Sequence, residues 1–187
     1  MQDLLNAFAA IVGDEHVLTK ERDTAYYRSG YRYGDGNATA IVFPGTLLEQ
    51  WKVLEVAVAA KCAIIMQATK TGLTGGSTPS GDDYGRDVVV INATRIKGLH
   101  LLRDGKQALA FPGATLYELS QKLKPIGRVP HSVLGSTTIG ATVVGGVANN
   151  AGGALCKRGS SYTELSLFAR VNADGALQIV DVSNAPF

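Results

Sequence analysis

The sequence predicts an α+β domain of short strands with flanking helices, and three observations carry that prediction. Apolar residues recur at helical spacing near the N-terminus and again after two Thr-x-x-Glu signals. Short β-branched or aliphatic runs punctuate the remainder, and two glycine-rich windows, residues 72–81 and 135–153, separate those runs. In order, Leu4, Leu5, Phe8, Ile11 and Val12 share one helical face, with Gly13 as the stop. Thr19 is placed to cap a second short helix through Tyr27, and residues 30–39 read as a linker. Residues 40–43 are an apolar strand ended by Pro44-Gly45. Thr46 and Glu49 then form a capping-box pattern for a helix with Trp51, Leu54 and Val58 on one face. Residues 63–67 complete a β–α–β unit, residues 87–92 are a β-branched strand, and residues 108–113 are another. A second Thr-x-x-Glu pair, Thr115 and Glu118, opens a helix through Lys122. Residues 165–171 and 176–182 flank Asn172-Ala173-Asp174-Gly175 as a β-hairpin, since Asp-Gly tolerates positive φ. No internal repeat is visible.

Composition excludes several function classes. Glycine supplies 22 of 187 residues, above the background of ~7%, and it crowds into two windows without forming low-complexity tracts. Eighteen basic and sixteen acidic residues are dispersed, so no nucleic-acid-binding stripe exists. Cys62 and Cys156 are too few for a disulfide framework and read as small packing residues in a reducing compartment. Met1-Gln2-Asp3-Leu4 lacks a basic stretch followed by an apolar run, so a signal peptide is not expected. Residues 132–156 carry no charge, yet their Gly, Ser, Thr and Asn content argues for loop and helix rather than a membrane span. No His/Cys/Asp/Glu spacing predicts a metal site. His16 and His100 read as surface or core residues. His131 lies just before the second window, where an ordinary strand-end hydrogen bond competes with an approach to a ligand. Lys157-Arg158-Gly159 reads as a favourable helix end.

The first window, with the residues that lead into it from a buried strand, is Ala68-Thr69-Lys70-Thr71-Gly72-Leu73-Thr74-Gly75-Gly76-Ser77-Thr78. Glycines let successive amides face one concavity and bind an anion, and the hydroxyls add neutral donors, a composition suited to a pyrophosphate. Neither the P-loop nor the Rossmann glycine spacing is present. The second window is uncharged and built of small residues, which suits close approach to a large flat ligand; a tightly packed core explains the same composition.

Taken together, the two windows and the strands between them resemble the FAD-binding domain of the vanillyl-alcohol-oxidase and p-cresol-methylhydroxylase superfamily. Within it, Val42-Phe43-Pro44-Gly45, Thr71-Gly72-Leu73-Thr74, Gly76-Ser77-Thr78-Pro79, Arg86-Asp87-Val88-Val89, Pro130-His131-Ser132-Val133 and Ser166-Leu167-Phe168-Ala169-Arg170 are similar to the bacterial membrane-associated D-lactate dehydrogenases. The resemblance implies a PCMH-type FAD-binding domain over residues 39–187, preceded by an N-terminal helical extension over residues 1–38. It implies FAD contacts from Ala68, Thr69, Lys70, Thr71, Gly72, Gly76 and Ser77 in the first window. Gly135, Thr142 and Gly152 would contact FAD from the second. Lys70 is also open to a reading as a solvated loop lysine. The first loop holds no histidine, so non-covalent FAD is expected. The implied reaction oxidises D-lactate or a similar 2-hydroxy acid to the 2-oxo acid by hydride transfer to FAD and passes electrons to membrane quinone. That places the protein at the cytoplasmic face of the bacterial inner membrane, with no membrane segment within this chain. No catalytic base or carboxylate clamp is identifiable. A soluble, truncated chain without turnover of its own is therefore expected, with substrate and membrane-contacting domains absent. The FAD domain of another 2-hydroxy-acid oxidase, or a non-catalytic nucleotide-binding module, are the alternatives.

Overall fold

Three apolar runs set the centre of the molecule. The computed structural model describes all residues except 83, 132, 154–156, 158, 161–162, 164 and 184–187. The readings made for Ser132, Cys156, Arg158 and residues 184–187 therefore lie outside the described residues. β1 (Val17–Leu18), β2 (Ala40–Val42), β3 (Ala63–Gln67) and β4 (Val88–Asn92) form one sheet in the order β1-β2-β4-β3. β1 is antiparallel to β2, whereas β2 and β3 both run parallel to β4. Every residue of β4 is buried, which is why residues 88–91 read as a continuous apolar run rather than an alternating one.

Both faces of the sheet are covered. On one, α1 (Gln2–Val12) and α3 (Leu47–Ala59) place Phe8, Val12, Val53, Leu54 and Ala57 against Ala40, Val42, Val89 and Ile91. On the other, Ile41, Ile65, Val88 and Val90 pack with Tyr27 and Phe43. The expected β–α–β unit, β2–α3–β3, is present, but β4 lies between its two strands. The C-terminal ends of β2, β3 and β4 consequently share one edge, where ligands of open parallel sheets bind.

Several local expectations need correction. α2 (Glu21–Arg28) has Lys20 at its N-cap with no side-chain cap, so Thr19 does not cap it, and it ends at Arg28 rather than Tyr27. The Arg28 guanidinium is buried and donates to Gly36 O (3.0 Å) and Asn37 Oδ1 (3.1 Å), while also pairing with Glu21. Residues 30–39 are fastened rather than free: Gly36 bridges Gly81, and Asn37 N donates to Gly81 O at 3.1 Å. Thr46 caps α3, but Glu49 accepts from Gly45 N (2.7 Å). The buried face of α3 is Val53, Leu54 and Ala57, leaving Trp51 and Val58 half-buried, because α1 and the sheet together cover that side.

A second core of Leu99, Ala114, Leu116, Leu119, Leu123, Leu134 and Ala141 seats the second glycine window. β5 (Leu99–Leu102) and β6 (Gln107–Ala110) form a hairpin whose first strand the sequence reading missed. Its turn uses positive φ at Arg103, Asp104 and Gly105, and only the last of these is a glycine. α4 (Leu116–Leu123) carries the expected capping box between Thr115 and Glu118. α5 (Val143–Ala148) lies within the second window, and β7 (Leu165–Val171) with β8 (Leu177–Ser183) make the expected hairpin. Among the described residues, no helix is long and apolar enough to cross a membrane.

Candidate functional site

The first glycine loop leaves the C-terminal end of β3. Two buried amide side chains hold it there. Gln67 Nε2 donates to Ser77 O (2.7 Å) and Tyr27 O (2.8 Å), and Asn92 Nδ2 donates to Ala68 O (3.0 Å) and Gln67 Oε1 (3.0 Å). The loop between those ties is sparsely bonded: Thr78 N and Oγ1 both reach Gly75 O, at 3.2 and 3.0 Å. Among the described residues, none accepts a hydrogen bond from the amides of residues 70–77. Backbone donors without protein acceptors, gathered on one loop, are what an anion site needs.

The segment of residues 29–34 forms the outer wall of this loop. A Cβ on Gly34 would lie 2.4 Å from Thr78 Oγ1, and one on Gly75 would lie 3.0 Å from the Tyr33 ring. Lys70 takes part in that wall. Its Nζ donates to Ser29 O (2.7 Å) and sits 3.8 Å from the centre of the Tyr26 ring, and burial pushes its ammonium below the usual lysine range.

The second window reaches the first through Gly140, where a Cβ would stand 3.6 Å from Thr69 Cγ2. Its position is fixed from below. Thr142 bridges Thr115, Leu116 N donates to Ala141 O (2.8 Å), and Val143 N donates to Ala114 O (2.9 Å). The buried Thr142 hydroxyl accepts from Gly145 N (3.1 Å) and so caps α5. The structure thus brings Thr69 of the first window and Gly140 of the second next to each other.

Four glycines among the candidate residues share a property. Among the described residues, nothing lies within 4 Å of a Cβ built at Gly72, Gly135 or Gly152, and at Gly76 only Thr74 Oγ1 does, at 3.9 Å. None of the four has positive φ. Neither the packing of the chain nor its backbone conformation demands glycine there, so each leaves an open space that a side chain would fill. That geometry fits a cofactor pressed against backbone on both loops.

His131 and His100 are exposed, His100 lying edge-on to Phe111 at 6.4 Å, and His16 contacts Glu15 at 3.4 Å. Cys62 is buried among core residues, where burial pushes its thiol up, in keeping with a packing role. Among the described residues, no group of His, Cys, Asp or Glu is arranged to hold a metal. An open hollow of about 300 Å3 lined by Asn37, Thr39, Asp82, Tyr84 and Arg86 contains none of the ten candidate residues. Sequence reasoning missed Gln67 and Asn92. Their signal was a polar amide at the last position of each of two adjacent apolar strands.

The FAD binding domain family matches residues 38–181 of this chain. A quinone-dependent D-lactate dehydrogenase of Escherichia coli (strain K12) is 57% identical over 177 residues, covering 95% of this chain and 31% of that protein. One from Haemophilus influenzae is 49% identical over 191 residues, covering 100% and 34%. The chain therefore spans about a third of the length of the curated relatives it matches. The crystal structure of p-cresol methylhydroxylase superposes with a TM-score of 0.70 at 17% identity, covering 95% of this chain and 35% of that one, which establishes the PCMH-type fold.

Proposed function

We propose, from the premise that this chain belongs to the FAD binding domain family, that it holds FAD non-covalently between its two glycine windows. In the proposed protein, FAD serves oxidation of D-lactate, or a similar 2-hydroxy acid, with quinone as the final acceptor. The observation that carries the FAD assignment is the set of four glycines, Gly72, Gly76, Gly135 and Gly152, whose open space no atom of the described residues explains. The amides of residues 70–77 would hold the pyrophosphate, and Ala68, Thr69, Thr71 and Ser77 would line it. Gly135, Thr142 and Gly152 would lie along the remainder of the cofactor. When bound, the flavin supplies a two-electron acceptor for the substrate's hydride. This chain's own part is to bind and orient it, because two small-residue loops give close approach, and the one charge they carry, on Lys70, is turned to Ser29 O. The relatives' names support the substrate and acceptor. Attachment at the cytoplasmic face of the bacterial membrane through other parts of the protein is proposed as well, as the place where a quinone acceptor would be met.

The test is an FAD titration of the purified chain, followed by flavin absorbance. Saturable binding is expected, with Gly72→Val and Gly76→Val each raising Kd by about tenfold or more, since 1.4 kcal/mol of lost contact suffices. Acid extraction should release all the flavin. Unchanged affinity in both variants, or flavin that stays with the denatured chain, would refute the assignment as stated. The substrate proposal is tested by replacing the first third of the Escherichia coli relative with this chain. Anaerobic D-lactate should bleach the flavin band of that chimaera, and bleaching by glycolate but not D-lactate would overturn it.

A further inference from the structure

We propose that Gln67 and Asn92 are positioning residues for the cofactor loop, fixing its two ends and so setting the arc of amides offered to the pyrophosphate. The inference rests on the reading of that loop as part of the FAD site. Gln67 and Asn92 are register partners at the last pair of the parallel β3–β4 ladder, and only 3% and 1% exposed. Every polar atom they carry is used. Both N–H groups of Gln67 go to Ser77 O and Tyr27 O, while its carbonyl accepts from Asn92. Asn92 gives its second N–H to Ala68 O and accepts from the amide and hydroxyl of Thr94. Backbone carbonyls only accept, so the orientation of both amides is forced rather than chosen.

The targets of these bonds identify their role. Ala68 and Ser77 are the residues where the loop begins and ends, and each is held by a different strand. An apolar side chain at either site would suit the surrounding core, yet it would leave loop carbonyls buried without a donor. Tyr27 O adds a third fixed point, tying the loop to α2, whose following residue Ser29 receives Lys70. The loop is therefore suspended at both ends from a satisfied amide pair, with few bonds of its own between them.

The experiment compares Gln67→Glu, Gln67→Met and Asn92→Asp with Gly72→Val and the parent chain. Three readouts are taken: FAD Kd per folded molecule, melting temperature, and tryptic cleavage after Lys70 relative to the exposed Lys106 in the FAD-free chain. The Gln67 variants lose the donors to Ser77 O and Tyr27 O. They should raise Kd about tenfold or more and raise Lys70 cleavage several-fold, with FAD restoring protection. Asn92→Asp keeps the acceptor for Thr94 and loses the donor to Ala68 O, so it gives the same signature if the Gln67 variants do not fold. Gly72→Val should raise Kd without raising cleavage in the FAD-free chain. A lowered melting temperature with unchanged Kd and unchanged Lys70 cleavage in the amide variants would overturn the inference alone, leaving the FAD loop intact. Unchanged Kd in Gly72→Val as well, or no FAD binding by the folded parent, would overturn the reading on which it rests.

Discussion

Lys70 lies at the point in the first loop where charge and geometry could have been confused. Its backbone is left-handed (φ 45°), an uncommon state for a non-glycine residue, and its side chain turns back to Ser29 O and the Tyr26 ring. A lysine aimed at phosphate would present its ammonium to the ligand; this one braces the outer wall. Lys70→Met should weaken FAD binding by loosening residues 29–33. The slope of log Kd against log salt should stay that of the parent, because no phosphate charge pair is lost. A shallower slope in the variant would show direct contact with the anion. Gly72 and Gly76 differ from Lys70 in that nothing among the described residues explains them, and the missing neighbour is the argument.

Among the elements, α4 decides where the second window sits. Leu116, Leu119 and Leu123 bury its inner face; Leu116 N in its first turn bonds to Ala141 O, and Ala114 O just before the helix accepts from Val143 N. The capping box at its start is complete. Glu118 Oε2 accepts from Thr115 N (2.8 Å), and that bond holds the carboxyl below the ordinary glutamate range. A carboxyl with a depressed folded value stabilises the fold above its unfolded value of ~4.3, and loses that contribution as pH falls through the folded value. Thermal melts should therefore separate parent from Glu118→Ala at neutral pH and converge at strongly acidic pH. The gap should be small, because Glu118 is exposed and well screened. A gap that persists or widens on acidification would show that the bond does not depend on the ionised carboxylate.

For the molecule as a whole, the question is whether residues 1–38 stand apart or share one cooperative unit with the rest. Phe8 is fully buried between α3 and the sheet, and β1 extends that sheet by pairing with β2. Phe8→Ala should cost about 3–5 kcal/mol, the usual range for truncating a buried aromatic. It should also lower the single melting transition of the parent and the temperature at which FAD is released together. Two resolved transitions, the first without flavin release, would instead mark the N-terminal segment as an independent unit.

Local chemistry made much of this legible in the sequence. Helix α1 and its Gly13 stop, the Thr46 and Thr115 caps, β3, β4 and the Asp-Gly hairpin all rest on neighbours within a few residues, so spacing alone determined them. The chemistry of the glycine windows was equally legible, because the residue types that permit close backbone approach are few. Tertiary structure decided the rest. The insertion of β4 between β2 and β3, the packing of residues 29–34 on the first loop, and the meeting of Thr69 with Gly140 all join residues far apart in the chain. Gln67 and Asn92 belong to this second class. In sequence each is one polar residue at the end of an apolar run; only the parallel register of β3 with β4 sets their side chains together beneath the loop. The physical reason is range: caps, turns and periodicity act over a turn of helix or a hairpin. Strand order and shared edges are set by burying both faces of one sheet, and no local pattern encodes them.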